Sequence, residues 1–118
     1  MVRISYIELP VSAVAGVRDF YAGAFGWDFT DFGPDYASTT TGDVDVGLNG
    51  TEDYALTGIL PIVEVKADLE GALEKVVAAG GAITQPIFAF PGGRRFHFRD
   101  PAGHQLGVFI NEPDDGAH

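Results

Sequence analysis

The sequence predicts an α+β fold: two tandem β-α-β-β-β modules forming curved mixed sheets around a cleft. Three observations carry this expectation. Segments in which apolar residues alternate with period two surround two segments of helical period, and the order strand, helix, three strands occurs twice. An offset of 55 lays Val14 on Leu69, Gly16 on Gly71, Val17 on Ala72, Tyr21 on Val76 and Gly26 on Gly81. A four-stranded sheet with one helix leaves its other face uncovered, so two such units are expected to enclose a shared concave interior. At 118 residues the chain is sized for one domain, 1–118, with internal modules at about 1–50 and 58–111.

The elements follow in order. The first ten residues read as a strand, with Ile7 and Leu9 alternating with Tyr6, Glu8 and Pro10. Ser12 is the expected N-cap of a helix carrying Val14, Val17, Tyr21, Ala24 and Phe25 at the 3.6 period, stopped by Gly26. The pair Phe20-Tyr21 is expected on the buried stripe of that helix. Strands are then predicted at Trp27–Phe32, Tyr36–Thr41 and Val44–Leu48, punctuated by Gly33-Pro34-Asp35, Gly42-Asp43 and Asn49-Gly50. In the second half Ile59–Val65 is a strand, and Asp68 caps a helix whose Leu69, Ala72, Leu73, Val76 and Val77 form an apolar stripe ending at Gly80-Gly81. Ala82–Phe90, broken near Pro86, Arg94–Arg99 and Gln105–Ile110 complete the set. Asp100, Pro101 and Gly103 occupy the preferred positions of a type I turn between the last two strands. The polar tail from Asn111 is expected to fray.

Composition narrows the function. Seventeen acids against seven Lys and Arg give a net charge of −10, which repels nucleic acid and anionic membranes. No apolar run reaches the ~20 residues of a membrane span, and Met1-Val2-Arg3-Ile4-Ser5 does not open a signal peptide, so a cytoplasmic protein is expected. The chain has no cysteine, which removes disulfides, thiolate metal sites and cysteine nucleophiles.

Three segments together resemble the vicinal oxygen chelate superfamily, which holds glyoxalase I, extradiol dioxygenases, and fosfomycin- and bleomycin-resistance proteins. They are Glu8-Leu9-Pro10-Val11 leading into Val17-Arg18-Asp19-Phe20-Tyr21 and Phe25-Gly26-Trp27; Ala72-Leu73-Glu74-Lys75-Val76 leading into Ala79-Gly80-Gly81; and Phe98-Arg99-Asp100-Pro101-Ala102-Gly103-His104. In metal-dependent members the resemblance implies four His or Glu ligands, one from each of the first and last strands of the two halves. Carried over residue by residue, these positions fall at Tyr6, near Gly47, at Pro61 and at Gly107, with Asp43 and Asp45 the only carboxylates near the second. Proline and glycine offer no ligating side chain, and a catalytic ion needs about three protein ligands. No metal or other cofactor is therefore expected, and the metal chemistry of the family loses its electrophile.

Each candidate residue admits two readings. Glu8 shares a strand face with Tyr6, opposite Ile7 and Leu9; it is a cleft carboxylate able to take a proton or bind an amine, or a solvated or Arg-paired groove residue. On Arg94–Arg99, period two sets Arg95, His97 and Arg99 against Phe96 and Phe98. The basic face lines the cleft and binds an anionic or carbonyl-bearing ligand, or it solvates the outside of the sheet; alternation leaves both open. Trp27, Phe29, Phe88, Phe90 and Phe109 are apolar wall for a flat ligand or ordinary core. His104 follows the turn, where an exposed turn residue is the simpler reading. Pro91-Gly92-Gly93 precedes a strand and reads as a hairpin loop, not a phosphate cradle.

The combined expectation is a metal-free binder of a small hydrophobic or aromatic molecule, with Tyr6, Glu8, Trp27, Phe29, Arg95, His97 and Phe109 as ligand-binding residues. The alternative is a lyase or dioxygenase of the same superfamily, metal-dependent or with Glu8 or His97 as acid/base. A third is a structural subunit with no ligand. The resemblance also implies a homodimer.

Overall fold

In the computed structural model, which describes residues 2–51 and 57–112, the chain runs β1 (Arg3–Pro10), α1 (Val14–Phe25), β2 (Thr30–Asp31), β3 (Tyr36–Ser38), β4 (Asp45–Asn49), β5 (Leu60–Val65), α2 (Leu69–Ala78), β6 (Ala82–Phe90), β7 (Gly93–Arg99) and β8 (Gln105–Asn111). The fold is α+β with the β-α-β-β-β order present twice. The described residues of Ser5–Leu60 form one compact unit; those from Pro61 onward, with the first few of the chain, form the other. No helix among the described residues is long and apolar enough to cross a membrane.

In the first unit the strand order is β2-β3-β4-β1. β1 and β4 run parallel, with Tyr6 opposite Asp45 and Glu8 opposite Gly47, a pairing that requires a crossover connection. α1 lies within that crossover and packs on β3 and β4. Val14, Ala37 and Leu48 form the core beneath it, flanked by Leu9, Val11, Val17, Phe29 and Val46. The N-cap is Ala13, with no side-chain hydrogen bond, rather than Ser12. A capping oxygen must reach the second or third helical N–H, and Ser12 stands one residue too early. Gly26 ends the helix as expected, left-handed at φ 70°, its N–H on the Ala22 carbonyl at 2.9 Å.

The aromatic stripe of α1 is not buried. Val14 is the helix's one buried residue, while Phe20 and Phe25 are 62% and 63% exposed. The cause lies in the sheet: β2 has two residues instead of the expected Trp27–Phe32, and β3 ends at Ser38 instead of Thr41. The C-terminal half of α1 thus has little strand to cover. Its rings cluster with one another, Tyr21 stacking on Trp27 at 5.1 Å between centroids and Phe25 lying 5.3 Å from Trp27.

In the second unit the order is β5-β8-β7-β6, with β5 and β8 parallel and β6-β7-β8 antiparallel. Val65, Leu69, Phe96, Val108 and Ile110 form its core, and Ala72, Leu73, Val76, Ile83, Ile87 and Phe98 pack against them. Val77, expected on the buried stripe, is 51% exposed. Asp68 caps α2 as expected, accepting from the Gly71 N–H at 3.0 Å. Pro86 does not break β6; the register with β7 shifts on either side of Gln85 instead. β6 is the last strand in its order, where a missing N–H is tolerated. The Asp100 turn forms with Gly103 N–H on the Asp100 carbonyl at 2.9 Å, and the Asp100 side chain accepts from the N–H of Ala102 and of His104. Of the tail expected to fray, Asn111 still belongs to β8 and the Glu112 N–H donates to the Gly92 carbonyl at 3.0 Å; 113–118 lie outside the described residues.

Candidate functional site

Sheet register decides which side chains gather. In the first unit, Leu9, Val46, Leu48 and Ala37 meet α1, so their alternates Tyr6, Glu8, Gly47 and Tyr36 share the opposite face. There the Tyr36 hydroxyl donates to Glu8 Oε1 at 2.6 Å, and the Tyr6 and Tyr36 hydroxyls lie 2.7 Å apart. A phenol has one proton. Tyr36 gives its proton to Glu8, so its oxygen accepts from Tyr6 and the chain of donation runs Tyr6, Tyr36, Glu8. Glu8 is fully buried. Burial first, and then the proximity of Glu8 and Tyr6, push the Tyr36 phenol far above its ordinary range, so it stays a proton donor at any physiological pH.

Gly47 makes this arrangement possible. A Cβ there would run into the hydroxyls of both Tyr6 and Tyr36. Gly47 and Tyr6 are also positions where the resemblance implied metal ligands, and the two phenols fill the space a side chain at 47 would need. Asp45, the nearest carboxylate, is turned to other work. Its Oδ1 accepts from the hydroxyls of Thr39 and Thr41 at 2.8 Å and from the Thr41 N–H at 2.7 Å, and its Oδ2 accepts from the Gly42 N–H at 3.1 Å. Burial raises its pKa, and these donors together outweigh that and lower it.

The second unit corrects one inferred position. Ile62 stands opposite Gly107, while Val63 and Val65 pack toward α2. Pro61 therefore shares the α2 side, and the residue on the Gly107 face is Leu60, one position earlier and equally without a donor. The offset of 55 holds for the helices, whereas pairing Gly47 with Gly107 puts Glu8 level with Ile62, an offset of 54. Among the described residues no group of three His, Cys, Asp or Glu gathers. The residues present do not fit an ion held by His and carboxylates.

The face of β7 is also resolved. Phe96 and Phe98 pack toward α2, so Arg95 and His97 point away from it, opposite Phe109 and Gly107 respectively. Both are buried. The Arg95 guanidinium lies 5.5 Å from the Phe88 ring and 5.7 Å from the Phe90 ring, and His97 meets Phe88 edge-on at 5.7 Å. Such flanking rings favour a cation. Phe109 is 6.3 Å from Phe90.

The expected ligand-binding residues fall in both units. In the first unit Tyr6 and Glu8 share a face of β1, and in the second Arg95, His97 and Phe109 share a face of β7 and β8. Trp27 stands with the α1 aromatics, and Phe29, partly buried, packs against the first-unit core. His104 is exposed and bound to its own turn through Asp100. Sequence reasoning missed Tyr36. It lies on a predicted strand, and only the β3–β4 register, with Ser38 opposite Gly47, brings it to Glu8.

Comparison with known proteins gives one family. The family model described as Glyoxalase/Bleomycin resistance protein/Dioxygenase superfamily matches residues 3–108. CFP32 of Mycobacterium bovis, which bears a provisional glyoxylase name, is 25% identical over 115 residues, covering 89% of this chain and 44% of that protein. The chain thus spans less than half the length of the curated relatives it matches. A chain solved as an NAD-dependent benzaldehyde dehydrogenase of Legionella pneumophila superposes with a TM-score of 0.76 at 19% identity, covering 91% of this chain and 98% of that one. A superfamily member from Vibrio splendidus 12B01 gives 0.70 at 19% identity, covering 94% and 100%. At such identities the structural likeness establishes the fold alone.

Proposed function

For a chain that belongs to the glyoxalase/bleomycin resistance protein/dioxygenase superfamily, we propose the role of a metal-independent binder of a small hydrophobic or aromatic molecule. One observation carries this reading: the Tyr6 and Tyr36 hydroxyls meet above Gly47, where a metal-dependent relative would present a ligand. The face offers two aromatic rings and a hydrogen-bonded carboxylate. Rings supply apolar contact, and a few fixed polar groups orient a ligand. Elemental analysis of protein purified without chelator tests the metal-independent part; near-stoichiometric Ni, Zn, Mn or Fe defeats it. Thermal-shift screening against small aromatic compounds tests binding, since a ligand that binds only the folded chain raises the melting temperature.

A second reading is an acid–base enzyme working through Glu8. The Tyr36 hydrogen bond, which would orient that carboxylate, favours it. Glu8→Gln separates the two readings: turnover abolished with ligand binding retained supports the enzyme, and weakened binding with no turnover in either form supports the binder. The reading also includes a homodimer, to which the exposed rings of Phe20 and Phe25 are suited; light scattering on the intact chain measures it.

A further inference from the structure

We propose that the hollow at the C-terminal end of α1 is a binding site for small aromatic cations, on the opposite side of the first-unit sheet from Tyr6, Glu8 and Tyr36. Its volume is about 510 Å³, within the roughly 300–1,000 Å³ of small-molecule pockets. Val46 lines it and alternates with Gly47, so it opens on the helix side of β4.

Three features define its chemistry. Trp27 forms a wall, held by Tyr21 and Phe25 yet 37% exposed. Thr39 and Thr41 also line the hollow, but their hydroxyls are committed to Asp45, so what they offer a ligand is methyl groups. Val44 adds an exposed aliphatic surface. Among the described residues Asp28 is the single charged one of the lining. An aromatic face, aliphatic walls and one carboxylate suit a flat or benzylic ammonium, which gains cation–π attraction and a counter-ion together. The chain's net charge of −10 draws cations and repels anions. The Asp45 network holds the threonine loop in place before binding, which lowers the ordering cost.

The inference does not rest on the function proposed above, and its test distinguishes the two. Trp27 is the chain's single tryptophan, so its emission reports on this hollow. The full chain is titrated at constant ionic strength with benzyltrimethylammonium, benzyl alcohol and phenylacetate. The expected result is a saturable emission change with the cation, about three- to fivefold weaker affinity for the alcohol, and no saturable change with phenylacetate. Asp28→Asn is expected to weaken the cation about two- to fivefold, Thr40→Arg to abolish its binding, and Tyr36→Phe, on the other face, to leave it unchanged. Equal responses to all three compounds, no saturation, or a cation response insensitive to both Asp28→Asn and Thr40→Arg overturns the proposal. A response lost in Tyr36→Phe but kept in Asp28→Asn assigns binding to the tyrosine face and also overturns it.

Discussion

The two units share an order of elements and differ in what their helices cover. α2 sits over a three-stranded antiparallel run whose longest strand has nine residues, and five buried side chains among the described residues form its core. α1 sits over strands of three and five residues, with three buried core residues among those described, and turns its aromatic rings outward. Sequence periodicity measures what a helix is able to bury. Strand length decides how much of it is buried.

The contrast is sharpest in a pair of aromatic truncations. Phe96 is fully buried in the second-unit core, so Phe96→Ala is expected to cost ~3–5 kcal/mol in denaturant unfolding. Phe20, 62% exposed, should lose no more than about 1 kcal/mol on the same change, the worth of its edge contact with Tyr21. Comparable losses would mean that α1 is covered in solution. Gly47→Ala comes next, at about 1–3 kcal/mol, because the new methyl displaces both phenols. Tyr36→Phe alone should cost about 1–3 kcal/mol by taking a donor from buried Glu8. Combined, the two should cost less than their sum, since one of the hydroxyls in the way is gone. Strict additivity would show that Gly47 serves some other purpose.

The helix caps supply a smaller contrast. Asp68→Ala should destabilise by ~0.5–2 kcal/mol, and Ser12→Ala by under ~0.5 kcal/mol, since its side chain does not cap α1. The smallest effect is in acid. The carboxyl of Asp45 titrates lower folded than its ordinary value of 3.8, so its stabilisation is complete above that value and disappears as pH falls through the depressed folded value. Asp45→Asn should therefore flatten part of the stability loss below about pH 4. An unchanged acid limb would show that the Thr39–Thr41 loop does not depend on that charge.

Much of the fold was legible because it is local. Alternation located β1, β4, β5, β7 and β8, Gly26 stopped α1, and Asp68 followed by Gly71 three residues on gave a cap with a mechanism. The pairing within the site was not legible. Glu8 could be placed on a face with Tyr6, but Tyr36 reaches it through a hairpin register set by the loop that Asp45 holds together. The buried side of β7 was equally hidden, since Arg95-His97 and Phe96-Phe98 alternate symmetrically until α2 selects the phenylalanines. One residue of slip moved the inferred Pro61 position to Leu60, because a period of two turns a single-residue error into the opposite face.

The close fit of Tyr6 and Tyr36 over Gly47 also bears on what this chain can become. A carboxylate introduced at 47 alone has nowhere to go, as its first carbon already meets both hydroxyls. A history of single substitutions leading toward ion binding would have to remove both hydroxyls first, and losing that of Tyr36 takes a donor from buried Glu8. Each step is disfavoured until the next is taken. Three residues on three strands thus act as a ratchet, holding this face to its present chemistry through mutual fit rather than through the merit of any one of them.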